Sequence, residues 1–468
     1  MPAIALPVSY GATRSVKNSG GVLVNAFAEQ APEDAKSPIT LFGMPGLEKL
    51  LEIPGERVRH GIVVNDSLYV WTNLGLHKVY SDGTSKKLGD ASLSYPIRTA
   101  SNGLNIAATD GTKAFYYTIS DVEDNPATVT VVYEITDPAF TPAYTVAHLD
   151  GYLAFDKRST NQVVNTEPLS MTIDPLAFLS AEMDWDNVSS VVSVGRELWV
   201  LGTRSYEVWY NAGLTPSPWQ RHEGAGGAGG AASPYASAEL NGAMIWLGHD
   251  GQVRQGLGLQ ARIISTPAII EAIRTKDLSK AEAFSFSILG HDWWVLTVES
   301  LTLIYDQSTN LWFQVLDPVT TRYRLGWAVH VYGRVYAGHY NGPEIYEVTP
   351  DAYDFDGVDF TTTMTLPTVH RDRALVRHTQ LEVDLDVGQG LEGALPGDAP
   401  PIMEMRYSND GGKTWSAWLA RSMGKDGEYL TRMRWQRLGD ARQRTYQLRT
   451  SAAVKRALAS RAFVEVMD

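Results

Sequence analysis

The feature that most limits what this chain can become is a turn that keeps returning. Two residues of the Asn, Asp or Gly kind separate short apolar stretches, and a strand rich in aromatic or branched residues follows. Asn65-Asp66 leads into Leu68-Tyr69-Val70-Trp71, Asn102-Gly103 opens another unit, and Asp150-Gly151 precedes Tyr152-Leu153-Ala154-Phe155. The rhythm continues at Gly195-Arg196 before Leu198-Trp199-Val200, and at Asn241-Gly242 before Met244-Ile245-Trp246. It returns at Gly290-His291-Asp292 before Trp293-Trp294-Val295-Leu296, and at Gly333-Arg334 before Val335-Tyr336. Type I′ hairpins need positive φ at both central residues, which these residue types supply at least cost. Units that begin about 25 to 50 residues apart have the spacing of propeller blades, each a small antiparallel sheet. The pattern predicts an all-β chain with a β-propeller of six or seven blades over residues 55–350. One or two large β-sandwiches form the competing topology.

Residues 1–54 read as an extended segment that packs on the propeller or on a neighbouring subunit. Pro267 to Arg274 has apolar residues at helical spacing with Pro at its start, which predicts one short helix. After Pro350 the texture changes. Alternating stretches at Gln380–Val387, Ile402–Tyr407, Tyr429–Arg437, Thr445–Thr450 and Ala462–Val466 predict a C-terminal β-sandwich over 351–468, with a Gly/Pro-rich loop from Gly388 to Pro401.

Across the 468 residues, 44% are hydrophobic and 41 are Gly, which points to a globular chain of many turns rather than a disordered one. The absence of Cys excludes disulfides, thiolate metal sites and a cysteine nucleophile. No signal peptide or bilayer-length apolar run is present, so the reading is a soluble protein. The net charge of -13 is uneven: residues 401–468 carry +6 and the other 400 carry -19. A general nucleic-acid coat would be basic throughout.

The sharpest local motif is Ser408-Asn409-Asp410-Gly411-Gly412-Lys413-Thr414-Trp415. It fits the S-x-D-x-G-x-T-W Asp-box, with Ser408, Asp410, Gly412, Thr414 and Trp415 in the defining places. Its physics is turn chemistry: Asp410 accepts from backbone N–H groups, Gly permits positive φ, and Trp415 can bury under the hairpin. The box is read as structural. A sialidase would also need three Arg around a carboxylate and a Tyr nucleophile with its Glu, and no spacing marks such a set.

Gly224-Ala225-Gly226-Gly227-Ala228-Gly229 satisfies G-x-G-x-x-G, but Pro234 interrupts any helix and no βαβ unit surrounds it, so a flexible or close-packed loop is expected. Gly412-Lys413-Thr414 fails as a P-loop because Tyr407 stands where Gly is required. The ten His lack paired-ligand spacing. Asp351, Asp354, Asp356 and Asp359 do not have an EF-hand's spacing and read as a solvated acidic link. Neither a metal nor a cofactor is expected, nor a catalytic nucleophile.

Arg432, Arg434, Arg437, Arg442, Arg444 and Arg449 read as two strands joined by a turn at Gly439-Asp440. Alternation with Met433 and Trp435 should aim Arg432, Arg434 and Gln436 from one face. Two readings stand side by side: a solvated, ion-paired strand face, or a contact for DNA phosphates or an acidic partner.

Several islands, in order, resemble the packaged-DNA stabilisation or tail nozzle proteins of podovirus-type phages. They are Val24-Asn25-Ala26-Phe27-Ala28-Glu29 with Met44-Pro45-Gly46-Leu47, then Ala232 to Asn241 running on to Ile245-Trp246-Leu247-Gly248. Arg262 to Ile269 and Ile304 to Trp312 follow, and the Asp-box with the Arg tract completes the series. The chain departs from the family in the Gly/Ala stretch from Gly224 to Ala232. The resemblance implies a structural virion subunit, a homo-hexamer beneath the portal and adaptor rings, assembled in the host cytoplasm. It implies a DNA ejection channel with transient contact to the genome, attachment of tail spikes or fibres, a tail needle or plug as a further partner, and no enzymatic activity. The alternative class is a carbohydrate-binding or sialidase-like propeller protein of a phage tail.

Overall fold

In the computed structural model, the described residues are 3–12, 20–35, 37–119, 131–371, 374–390 and 399–467. Most of the predicted Gly388–Pro401 loop lies outside them. Among the described residues the propeller has seven four-stranded antiparallel blades. Blade 1 runs from Val58–Val64 to Ser85–Asp90, blade 2 from Arg98–Ser101 to Tyr133–Glu134, and blade 3 from Val146–Leu149 to Ile173–Ser180. Blade 4 spans Val188–Val194 to Trp219–Ala228, blade 5 Ser237–Leu240 to Gln260–Ile263, and blade 6 Ala281–Ile288 to Leu311–Val315. Blade 7 takes three strands from Leu325–Val331 to Glu344–Thr349 and borrows its fourth, Gly46–Glu52, from the start of the chain. That borrowed ladder closes the ring.

Each recurring turn read from the sequence joins the inner strand of one blade to its second strand. Asn65-Asp66, Asp150-Gly151 and Asn241-Gly242 have positive φ at both positions, and Leu289-Gly290 and Tyr332-Gly333 do the same with a bulkier first residue. The second strands then bury their aromatics: Trp71, Trp199, Trp246, Trp293 and Trp294 are all 1% exposed or less. Indoles fit between blades because glycines face them. Added Cβ atoms at Gly256 of blade 5 and Gly61 of blade 1 would lie 2.2 Å from Trp199 and 2.3 Å from Trp327 respectively. The predicted helix, Pro267–Ile273, links blades 5 and 6; Thr266 caps it, and Ile269 and Ile273 pack with Trp294 and Trp312. No helix among the described residues is long and apolar enough to cross a membrane.

The sandwich draws on both ends of the chain, which displaces the expected boundaries. Val22–Val24 pairs in parallel with the outer strand of blade 6 and antiparallel with Thr362–Thr365. The sheet continues through Gln443–Thr450, Ile402–Ser408 and Leu419–Ser422, so blade 6 and one sandwich layer form a single ten-stranded sheet. The facing layer sets Ala26–Gln30 and Ile39–Gly43 beside Ala457–Met467, Val376–Leu385 and Met433–Gln436. Residues 1–54, expected as an extended segment packing on the propeller or on a neighbouring subunit, divide their described strands between blade 7 and the sandwich. The Gly/Ala stretch also differs from the loop expected. Its first part is the outer strand of blade 4, and close approach explains the composition beyond it, since a Cβ at Gly230 would lie 2.2 Å from the Gly202 carbonyl oxygen.

Candidate functional site

The Asp-box caps the strand Ile402–Ser408. Asp410 Oδ1 accepts from the Lys413 and Thr414 amides at 2.9 and 3.0 Å, and Oδ2 accepts from the Thr414 hydroxyl at 2.6 Å. Ser408 Oγ donates to Asp410 Oδ1 at 2.7 Å and accepts from the Gly412 amide at 2.8 Å. Hydrogen bonds from Thr414 and Ser408 hold the Asp410 carboxyl well below the usual carboxylate range. Trp415 is half-buried rather than tucked under the hairpin; its Nε1 donates to the Gly412 carbonyl at 3.0 Å. The Arg406 guanidinium lies 4.6 Å from the Trp415 ring centroid and 4.4 Å from that of Trp418, and Arg449 stacks on Trp418 at 3.9 Å. Cation–π stacking on both rings makes this a rigid edge and leaves the carboxylate fully used by its own turn.

The arginine tract is divided between the two layers of the sandwich. Met433–Gln436 pairs with Val376–Leu385 in one layer, whereas Gln443–Thr450 pairs with Ile402–Ser408 in the other. Met433 and Trp435 are buried while Arg432, Arg434 and Gln436 are exposed. Arg432 makes a bidentate pair with Glu382 at 2.8 and 2.7 Å, and Arg449 pairs with Glu404 at 2.7 Å. Arg444 is 1% exposed and donates to Asn409 Oδ1 at 2.9 Å and the Leu438 carbonyl at 2.6 Å, over the Tyr407 ring. It is a structural bolt. Arg434, Arg437 and Arg442 are exposed.

A second constellation was not visible in the sequence because its members lie up to 268 positions apart, from Arg59 to Trp327. The seven inner strands surround a cavity of about 360 Å³, lined by His60, Arg98, His148, Val191, Ser237 and Trp327 among others. Near one mouth the Tyr95 hydroxyl donates to Glu282 Oε2, and Arg322 pairs with the same oxygen at 3.0 Å. Arg59 lies 5.5 Å from the Tyr95 ring centroid. Arg98 donates to the Tyr235 and Ala283 carbonyls, the latter at 3.1 Å. Burial and the Glu282 charge push the Tyr95 hydroxyl up. Burial depresses the His60 imidazole to about 3, with Arg98 adding to the effect. These residues come from blades 1, 2 and 6 and from the loops after blades 1 and 6, so they tie together the blades on either side of blade 7. Among the described residues no group of three or more His, Asp or Glu could hold a metal ion.

Comparison with known proteins places these modules. No curated protein matches the chain. Solved structures with a similar path include the extracellular domain of a putative hybrid two-component system from B. thetaiotaomicron. It is 9% identical with a TM-score of 0.42, over 76% of this chain and 43% of that one. This chain thus spans less than half of that protein. BamB from Moraxella catarrhalis is 11% identical with a TM-score of 0.40, over 70% and 98% of the two chains. YCF48 from Cyanidioschyzon merolae is 9% identical with a TM-score of 0.41, over 65% and 99%. Assignment rests instead on two family models in tandem: the bacteriophage P22 Gp10 β-propeller matches residues 4–353, and the P22 Gp10 β-sandwich matches residues 362–466. The chain therefore belongs to the bacteriophage P22 Gp10 family, a podovirus tail nozzle-type protein with a structural role in the phage tail and in stabilising DNA.

Proposed function

We propose that this virion component is the hexameric tail nozzle beneath the portal and adaptor rings. It forms the ejection channel, retains the packaged DNA, and attaches tail spikes or fibres, with a needle or plug as a further partner. Assembly takes place in the host cytoplasm. The observation that carries the reading is the tandem match of propeller and sandwich across nearly the whole chain. The continuous sheet through blade 6 adds mechanical sense, because load on the sandwich passes into the propeller along hydrogen-bonded strands. The charge of -19 outside residues 401–468 suits a conduit, since like charge discourages DNA from sticking. Imaging of purified particles tests it: six copies around the tail axis are expected, and their absence there refutes the reading.

One observation favours the sialidase-like alternative: Tyr95 and Glu282 stand together with Arg59, Arg98 and Arg322 nearby. How those groups are used weighs against it. Arg98 is committed to backbone carbonyls, Arg322 to Glu282, and the tyrosine hydroxyl is harder to ionise than in water. A fluorogenic sialoside decides the matter, because turnover that disappears in Tyr95→Phe would reinstate the enzyme.

A further inference from the structure

The cavity on the propeller axis is lined from all seven inner strands, yet it holds a single lasting charge. Among its lining residues only His60, Arg98 and His148 can ionise. Burial holds both imidazoles below their ordinary value, His60 at about 3, so near neutral pH they are uncharged. Arg98 remains, and no carboxylate lines the cavity beside it.

The Arg98 guanidinium is fixed in place without being neutralised. From blade 2 it donates to the Tyr235 carbonyl ahead of blade 5, to Ser237 of blade 5 at 3.4 Å and to Ala283 of blade 6 at 3.1 Å. The Ile97 carbonyl accepts a fourth bond at 3.4 Å, and the Tyr235 ring centroid lies 5.5 Å away. Every one of these acceptors is a neutral backbone group.

Its surroundings are short of negative charge. Arg59 is 8% exposed, its Nε is buried without a partner, and Arg57 beside it adds like charge. Arg322 pairs with Glu282, whose same oxygen accepts from Tyr95. Asp110 and Asp156 act on the Tyr235 hydroxyl, and neither bonds Arg98. Asp110 is taken up by the Ser94, Thr112 and Lys113 amides, and Asp156 by those of Tyr144 and Thr145. Around the axis, Arg59, Arg98 and Arg322 therefore share one carboxylate.

A buried guanidinium with no counter-charge is costly, and an oxyanion set beside it offsets that cost. The planar fork of an arginine matches carboxylate, phosphate and sulfate alike. Its carbonyl bonds hold it in position beforehand, so little order remains to be imposed on binding. A volume of about 360 Å³ holds about a dozen waters or one small polar molecule, which is too little for a polypeptide loop or a nucleic-acid strand.

We propose that the axial cavity is a binding site for a small free oxyanion (phosphate, sulfate or a small carboxylate) seated on Arg98. The site belongs to the single chain and does not depend on the assembly proposed above.

Full-length protein dialysed free of phosphate and sulfate is titrated with inorganic phosphate, with ionic strength held constant by sodium chloride. A saturable rise in melting temperature and a one-site heat in calorimetry are expected. Arg98→Met should lower the association constant roughly 10-fold or more. Because Arg98 also bonds three blades, a second variant leaves it in place. Ser193 lines the cavity, and its hydroxyl makes no hydrogen bond among the described residues. Ser193→Glu supplies an internal carboxylate and should weaken phosphate binding roughly 10-fold or more, whereas Ser193→Gln, of equal size and neutral, should keep most of it. If phosphate, sulfate and acetate raise the melting temperature no more than chloride does, the cavity holds only water and the assignment is overturned. Equal phosphate affinity in the wild type and Ser193→Glu would overturn it too, by placing the ion elsewhere on the surface. Neither result bears on whether six copies surround the tail axis.

Discussion

Asn25 is bound to Leu316 from both sides of its amide: Nδ2 donates to the Leu316 carbonyl at 2.9 Å, and Oδ1 accepts from the Leu316 amide at 2.8 Å. A further Nδ2 bond reaches the Thr361 carbonyl at 3.0 Å, so one buried side chain joins the exit of blade 6 to the entrance of the sandwich. Its backbone has φ 55°, a region where Asn is better tolerated than most residues. Two positions on, Phe27 packs edge-on to Trp293 at 5.2 Å, and Glu29 stands 3.6 Å from His291. The N-x-F-x-E pattern is therefore a weld between modules. Asn25→Ala should cost about 2–4 kcal/mol, because it leaves buried backbone groups unpaired and strains the left-handed residue. Urea unfolding should then split into separate propeller and sandwich transitions; a single unshifted transition would refute the weld.

How far the sequence reached depended on how local each signal was. Seven hairpins were readable because turn and aromatic strand are adjacent, and even blade 2, whose second strand Asn105–Thr109 has no aromatic, was marked by Asn102-Gly103. The closing strand Gly46–Glu52 was not readable: Gly-Leu-Glu-Lys-Leu-Leu-Glu does not alternate, and its partner lies some 300 residues away. Long separations likewise hid the pairing of Val22–Val24 with blade 6 and the approach of Glu282 to Tyr95, 187 residues apart. The arginine strands were found at nearly their true positions, with Arg432, Arg434 and Gln436 alternating against buried Met433 and Trp435 as read, but nothing local showed that the two strands lie in different layers. Sequence gives the alternation of a strand, and only pairing reveals which layer holds it.

Arg444 and Arg434 belong to one tract yet should behave as opposites. Arg444→Met removes a buried guanidinium from Asn409 and the Leu438 carbonyl and is expected to cost about 2–4 kcal/mol. Arg434→Ala, at an exposed position, should stay within about 0.5 kcal/mol of the parent. If the open arginines touch DNA phosphates, each removal should lower the salt dependence of duplex binding by about one unit of slope. Fluorescence anisotropy across a salt series reads this directly, and an unchanged slope for Arg434→Ala and Arg437→Ala would discard the phosphate contact.

Asp410 organises its turn without being buried in it, so its loss should be felt locally. Asp410→Ala removes the acceptor for the Lys413 and Thr414 amides, and hydrogen exchange at those two should quicken while the melting temperature barely moves. Gly412, with φ 93°, is the stricter position, and Gly412→Ala should add about 1–2 kcal/mol of backbone strain. Slow exchange retained in Asp410→Ala would show that the turn is held by something else.

Two histidines should give the stability curve opposite limbs. His378 is 1% exposed, and burial followed by the Arg444 charge depresses its imidazole to about 4. Its folded pKa is below the unfolded value, so its contribution is full above about pH 6.5 and disappears as pH falls towards 4, by up to about 3 kcal/mol. His291 runs the other way. Burial pulls its pKa down, but the hydrogen bond and charge of Asp306, at 2.6 Å, together with Glu29, outweigh this and hold it above its ordinary value. That contribution is full below about pH 6.5 and is lost as pH rises through the raised folded value. Urea midpoints measured from pH 4 to 9 should fall at both ends. His378→Gln should flatten only the acid limb and His291→Gln only the alkaline one; if either substitution shifted the whole curve in parallel, that histidine would not be the titrating group.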